Sequence, residues 1–539
     1  MIALLRRGAP DEVSALREQV RRHFRVGDSE GAPEVSVVDT IENAPKTLVL
    51  PWVRRQTAIA PLTAALRARL RGRQVRWVDL DGAHGKCGLG FFLAQGFRAA
   101  SFAVLDVATR VLATAIRWLV PPSTKPDTRD EAATPWIVLP VLPDLSHTFV
   151  YREAAKLLEL EPSFRLLVLE HGTAAAPTHS EARALLERAE FLPMRGIVRR
   201  YAGTIGWLLR APRRASRLLR AYAADGHPHG LFGKLPLRDP RHPGRGFDLA
   251  SFWRAQPQPL GPVHVYSSTY ATNVTHAATR LLGSRFSLTS YVDFDFEYDH
   301  RMLDQKLADT DFFRVCTTYC QTRVRELTPA AADQVPVILF GLDLDAWGDQ
   351  SQPTGEGELF SACRLVPKKG LHLMPPALAE LAREGVEFRW RIAGDGPERE
   401  RIERLVREHG LTDRVEFLGG VSTDTVSKYL RRADLAVLPC VVAADGERDG
   451  IPIFFNEAMA LGVAVVSTPV SGIPEMVRDG ETGFLAKPDD VASLTKTLRR
   501  ALSDDSARAR IAAAGRAEVR RRLDLNHAAN QLLERIHGR

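Results

Sequence analysis

From residue 136 onward, short apolar runs and helical stretches alternate along the chain, and that alternation limits the fold more than any other feature. "WIVLPVL" and "RLLVLE" are strand-like runs, and "SHTFVYREAAKLLEL" between them has helical periodicity. The rhythm returns further on. "LFSACRL" precedes a helix expected over 370–384, "EFRWRIAGDGP" reads as strand then turn, and "RERIERLVREHGL" as a helix ending at a glycine. "VEFLGGV", "LAVLPCV" and "VAVVSTPV" are three further strands. Such alternation predicts βαβ units, in which helices cover both faces of a parallel sheet. The expected fold class is α/β, with two Rossmann-like domains facing a cleft, one over 136–330 and one over 331–511. Open sheets of this kind bind ligands in loops at the carboxyl ends of their strands.

The chain of 539 residues is too long for one core, so two or three domains are expected. Its 45% hydrophobic and 26% charged residues describe a soluble globular protein, and a net charge of +8 matters only where it is clustered. "PPSTKPDTRDEAATP" at 121–135 reads as a linker, and the Gly- and Pro-rich stretch 224–262 as an irregular excursion. Five cysteines are scattered, with only Cys316 and Cys320 close together, which suits reduced thiols in a cytoplasmic protein and no metal site. The N-terminus turns charged at once, unlike a signal peptide. No uncharged apolar run reaches the ~18 residues of a membrane-spanning helix.

Four elements of the second unit carry chemistry. In "CRLVPKKG", Arg364 and Lys369 lie on a strand-to-helix loop, where two cations beside helix N–H groups suit a diphosphate or are a pair of surface cations. In "AGDGPERE", Gly394 and Gly396 allow close backbone approach, although Asp-Gly-Pro is also a plain turn. In "DGIPIFFNEAMALG", Gly450, Ile451 and Pro452 lead into a helix whose first amides face outward. Asp449 before that turn can accept sugar hydroxyls or cap the helix, and Glu457 can accept ribose hydroxyls or answer the helix dipole. "SGIPEMVRDGETGFL" places Gly472, Glu475 and Gly483 on successive turns.

In order and spacing, "RLVPKKG", "GDGP" and "DGIPIFFNEAMALGVAVV" resemble the R-x4-K-G, G-x-G-P and E/D-G-x-P-x4-E-A-M-A-x-G-x-P-V-V elements of the GT4 family of retaining GT-B glycosyltransferases. The resemblance is close over 337–500. It implies that Arg364 and Lys369 hold a nucleotide diphosphate, that Asp449 faces the donor sugar, and that Glu457 binds the ribose. It also implies a nucleotide-sugar donor, a glycan or lipid-linked acceptor in cell-surface polysaccharide biosynthesis, transfer of a hexose with retention, no metal or other cofactor, and a C-terminal helix (512–539) crossing back to the first domain.

In the first unit, "LPVLPDLSHTFVYREAAKL" is similar to the P-x-x-S-E-T-F-V-x-x-E opening of exopolysaccharide-type members, with His147 in place of the glutamate and Ser146, Thr148, Phe149 and Glu153 matching. "VHVYSSTYATNVTHAATRLLGSRFSLTSYVDFDF" keeps His264 as the first histidine of the family's next stretch. Tyr266 and Tyr291 replace two others, and Asp293 or Asp295 stands for its aspartate. His264 and Tyr291 are the acceptor-side candidates. A tyrosine donates a hydrogen bond but carries no positive charge. An alternative follows: a nucleotide-sugar- or glycan-binding protein with impaired turnover.

Two further segments stand outside this pattern. Residues 195–222 hold eight arginines and no acid, interleaved with apolar residues and Trp207. They read as a solvated helix with a core stripe or as an amphipathic helix on anionic lipid, and no nucleic-acid motif accompanies them. In the first 120 residues, "VRWVDLDGAHGKCGLGFFLAQG" sets Gly82, Gly85, Gly88 and Gly90 after a strand, and Asp106 ends the next. That piece resembles the first βαβ of a class I methyltransferase, either a vestigial Rossmann-like segment that serves packing or one that binds a cofactor through Gly82, Gly85 and Asp106, in which case the protein's chemistry would be that of an N-terminal methyltransferase-like unit.

Overall fold

A computed structural model of the chain describes residues 133–143, 148–172, 180–193, 197–224, 244–267, 269–291, 303–328, 334–347 and 351–538, with five short strands within 2–86. The chain divides into two compact units, Met1–Pro126 with Met194–Ser251 and Arg280–Gly283, and Asp127–Pro193 with Phe252–Thr279 and Ser284–Arg539.

The first unit holds strands β1 (Ile2–Leu5), β2 (Val35–Val38), β3 (Thr47–Pro51), β4 (Gln74–Val78) and β5 (His84–Lys86) in the order β2-β1-β3-β4-β5. All pairs are parallel except β4 with β5, where Gly85 lies opposite Trp77 in an antiparallel register. Gly82, Gly88, Gly90 and Asp106 lie outside the described residues, as do Ser146, His147, Asp293 and Asp295. The stretch expected to be irregular at 224–262 contains a helix, Gly244–Arg254. Phe247, Ala250 and Trp253, three residues apart, are all buried, and that spacing outweighs the local glycines.

The second unit carries two six-stranded parallel sheets. The first has β6 (Thr134–Leu142), β7 (Arg165–His171), β8 (Ala189–Phe191), β9 (Leu260–Tyr266), β10 (Phe286–Thr289) and β11 (Thr310–Arg314) in the order β11-β10-β9-β6-β7-β8. β6 begins at Thr134, inside the stretch read as linker. The second sheet has β12 (Glu358–Ala362), β13 (Arg389–Ala393), β14 (Val415–Gly419), β15 (Leu435–Val437), β16 (Ala464–Ser467) and β17 (Phe484–Leu485) in the order β14-β13-β12-β15-β16-β17. In each sheet the chain first moves outward on one side and then returns to the other. The direction switches between β6 and β9 in the first sheet and between β12 and β15 in the second. Loops leaving a switch point diverge and open a crevice.

Fully buried Leu359, Trp390, Ile392, Leu435 and Val465 build the core of the second sheet, each aliphatic chain contributing ~1.5–3 kcal/mol. Trp390 keeps its indole N–H satisfied by donating to Ser361 Oγ at 3.0 Å. The first sheet's core joins Ile137, Leu139, Leu157 and Leu166 to Leu532 and Ile536 of the last helix, Leu525–His537. That helix is capped by Asp524, whose carboxylate accepts from the His527 N–H at 2.7 Å.

Candidate functional site

The crevice of the second sheet lies between the loop after β12 and the loop after β15, and the chemistry-bearing residues of both loops meet there. Arg364, Lys368 and Lys369 come from the first loop, Glu447 and Asp449 from the second. Lys369 Nζ is 2.6 Å from Asp449 Oδ2, and Lys368 Nζ lies 3.4 Å from Oδ1 of the same carboxylate. Lys368 Nζ also bonds Glu447 Oε1 at 2.8 Å, and Arg364 Nη2 stands 3.9 Å from that oxygen. The cations differ in exposure. The Arg364 side chain is 56% exposed, against 14% for Lys369, so Arg364 is the cation most open to an arriving anion.

Backbone geometry sets the lysines in place. Pro367–Lys369 forms a single 3-10 turn, closed by Gly370 in the left-handed region at φ 67°. A Cβ there would overlap the Pro439 carbonyl oxygen of the second loop, so glycine lets the two loops touch. The Val441 N–H then donates to the Lys368 carbonyl at 2.9 Å. Gly394 has φ 122°, and a side chain on it would overlap the Cys363 carbonyl oxygen. Its close approach is thus to the chain itself, where it braces the loop that carries Arg364.

Burial alone would raise the Asp449 carboxyl, but Lys369 and then Lys368 outweigh it and hold it below the usual carboxylate range. Burial alone would lower Lys369, but Asp449 outweighs it and keeps the ammonium charged. Two thiols sit beside the pair. Burial pushes Cys363 up to about 12, and burial followed by Asp449 raises Cys440 further. The Cys440 thiol donates to Asp449 Oδ2 at 3.8 Å. The site therefore holds fixed charges of both signs with neutral thiols behind them. An ionised acid next to ionised cations can orient an anionic ligand and its hydroxyls without itself releasing a proton.

Gly450, Ile451 and Pro452 lead to the helix Ile453–Leu461, with Pro452 at its N-cap. Glu457 falls one turn inside that helix, buried, with Oε1 3.5 Å from Nη2 of Arg152. Arg152 comes from the helix Thr148–Leu160 of the first sheet. Glu475 also reaches toward the first sheet, where its carboxylate accepts from the Thr318 and Tyr319 N–H groups at 2.9 and 2.8 Å. Lys368, Glu447 and Arg152 were not singled out from sequence. Lys368 adjoins Lys369 and could have been, whereas Glu447 and Arg152 are recognisable only from their partners.

Of the acceptor-side candidates, His264 lies in the core and Tyr291 packs at its edge. His264 is fully buried, held between Ser287 Oγ at 2.8 Å and Thr289 Oγ1 at 2.9 Å. Burial first, and the nearby Arg314 second, push its pKa well below the usual value, so the ring is neutral and has no surface for a substrate. Tyr266 is buried and donates to Glu153 Oε1 at 2.6 Å. Glu153 also pairs with Arg314, whose Nη2 lies 2.8 Å from Oε2 and whose Nε donates to the Ile338 carbonyl at 2.8 Å. Tyr291 is half-buried, its ring edge-on to Phe149 at 5.5 Å. Among the described residues, no group of three or more His, Cys, Asp or Glu is placed to hold a metal ion, and no helix is long and apolar enough to cross a membrane.

Residues 348–518, which contain this crevice, match the family model described as glycosyl transferases group 1. The fold is GT-B. The putative colanic acid biosynthesis glycosyltransferase WcaL of Escherichia coli is 38% identical over 168 residues, covering 31% of this chain and 41% of that protein. The amylovoran biosynthesis glycosyltransferase AmsK of Erwinia amylovora is 34% identical over 176 residues, covering 33% and 43%. The chain thus spans less than half the length of these curated relatives. Among solved structures, sucrose-phosphate synthase from Thermosynechococcus elongatus aligns with a TM-score of 0.55 at 17% identity, over 75% of this chain and 98% of that one. Anabaena HepE, solved in complex with UDP-glucose, aligns with a TM-score of 0.53 at 17% identity, over 75% and 100%. The GT-B sheets and the group 1 match meet in the second sheet, where the Lys369–Asp449 pair lies.

Proposed function

We propose that this chain is a retaining glycosyltransferase that moves a hexose from a nucleotide diphosphate-sugar to a glycan or lipid-linked acceptor during polysaccharide assembly. The observation that carries the reading is the Lys369–Asp449 pair beside exposed Arg364 at the switch point between β12 and β15. In this reading Arg364 and Lys369 neutralise the leaving diphosphate, a role that needs no metal because fixed cations supply the charge where it develops. Asp449 orients the sugar hydroxyls, the amides following Gly450, Ile451 and Pro452 face the phosphates, and Glu457 accepts the ribose hydroxyls. Gly394 and Gly396 brace the Arg364 loop. A panel of UDP-, GDP- and ADP-sugars tested by thermal shift would identify the donor, and Arg364→Ala, Lys369→Ala and Glu457→Ala should each weaken its binding. Equal binding by all three variants would remove the proposal.

A second reading, donor binding without transfer, is favoured by the burial of His264 and by Tyr291 standing where the family pattern that the sequence resembles has a histidine. Release of nucleotide diphosphate in an acceptor mixture separates the two.

The acceptor's setting is suggested by the helices Ile197–Arg210 and Pro212–Ala224. Ile205 and Leu209, one turn apart, are 57% and 80% exposed, while Trp207 and Leu208 are buried. Arg210, Arg214 and Arg217 are exposed nearby. An apolar ridge flanked by arginines suits the surface of an anionic bilayer. Peripheral attachment there would bring the enzyme to lipid-linked acceptors.

A further inference from the structure

Two of the contacts between the sheets of the second unit differ in kind. Glu475 accepts two backbone N–H bonds at 2.8 and 2.9 Å at the start of the helix Thr318–Leu327, which is a firm cap. Arg152 and Glu457 face each other at 3.5 Å, beyond the usual length of a charge-assisted bond, yet both side chains are nearly buried. Arg152 belongs to the first sheet's helix, and Glu457 to the helix that the Asp449 loop opens. The neighbouring Glu153 is committed to Arg314 and Tyr266, so the backbone under Arg152 is anchored. A long ion pair on an anchored base can tighten or part without disturbing either core.

We infer that Arg152 is a positioning residue of the donor site: reaching across from the first sheet, it shares Glu457 with the donor's ribose and so couples nucleotide binding to the approach of the two sheets. This rests on the reading of Glu457 as the ribose acceptor. A carboxylate offers about four lone-pair sites, enough for a guanidinium and two hydroxyls together. With Arg152 in place the closed arrangement is favoured before the nucleotide arrives. Without it the competent fraction falls, and the apparent dissociation constant rises in proportion.

The test uses the full chain and whichever of UDP, GDP and ADP binds it best by calorimetry. Arg152→Met should weaken that nucleotide about three- to tenfold through the lost closed population. The binding of inorganic pyrophosphate, which has no ribose, should weaken less than that of the nucleotide. Arg152→Lys should restore most of the loss, and KM for the sugar donor should rise more than kcat falls. Arg152→Met added to Glu457→Ala should cost nothing further, because the two act as one unit. Small-angle scattering of nucleotide-free Arg152→Met should show a larger radius of gyration that nucleotide reverses. If Glu457→Ala weakens the nucleotide while Arg152→Met binds it as the wild type does, the ribose reading stands and the Arg152 inference fails. If neither variant changes nucleotide affinity, both fail.

Discussion

The two sheets of the second unit share a topology and use their polar residues in opposite ways. In the first, the polar groups are sealed in and satisfied by one another: His264 between Ser287 and Thr289, and Glu153 between Arg314 and Tyr266. In the second, they are lifted onto loops beyond the strand ends, where Arg364 keeps more than half its side chain in solvent. Residues on strands serve the core. Residues one loop further along serve the crevice. A polar residue that matches a site pattern is therefore informative only once its position relative to the strand end is known.

That contrast can be broken by measurement. The largest effect should come from the sealed network: Glu153→Ala leaves the Arg314 guanidinium buried without its carboxylate, at a cost of ~3–5 kcal/mol in urea unfolding. A loss under about 1 kcal/mol would mean that the network does not hold the first sheet's core together. Next, Lys369→Ala should lower transfer roughly 10²-fold by removing fixed charge at the leaving group, with a smaller loss of stability than Glu153→Ala because Lys368, 3.4 Å away, still faces the Asp449 carboxylate. If stability collapses instead, the two sheets do not divide their labour.

A smaller effect separates His264 from a crevice histidine. The unfolded chain binds a proton there near 6.5 and the folded chain only well below it, so stability is intact above the unfolded value and falls as pH drops below 6.5. The slope attributable to His264 approaches ~1.4 kcal/mol per pH unit below 6.5; wild type should show it between pH 7.0 and 5.5 and His264→Gln should lack it, so the stability difference between the two should change with pH. The smallest effect belongs to the exposed ridge. Leu209→Glu should reduce cosedimentation with phosphatidylglycerol vesicles several-fold, with no change in melting temperature. Equal binding to phosphatidylcholine vesicles, or a preference for nucleic acid over both, would exclude an anionic bilayer as the partner.

How much of this was readable beforehand follows the same division. The second sheet and its crevice were legible because "RLVPKKG" and "DGIPIFFNEAMALG" each pack strand end, turn and charged residue into one contiguous stretch. The order of those stretches assigns Lys369 and Asp449 to one site, whereas their direct 2.6 Å pairing emerges only in three dimensions. The first sheet's polar residues were not legible in the same way. Glu153 and Arg314 are 161 positions apart, and Arg152 and Glu457 are 305 apart, so no local spacing announces either pair. His264 has the composition of a site residue, and only the hydroxyls of Ser287 and Thr289 on the neighbouring strand reveal it as core. The helix Gly244–Arg254 was hidden for a similar reason, since its glycines are local and the burial of Phe247 and Trp253 is not.

The thiols behind the Lys369–Asp449 pair give the crevice a chemical clock. Cys440 is fully buried and held in its protonated form, so alkylating reagents cannot react with it while the two loops touch through Gly370 and Pro439. Its labelling rate therefore counts how often those loops separate. A ligand that bridges them should slow that count in proportion to its occupancy, whatever its base or sugar.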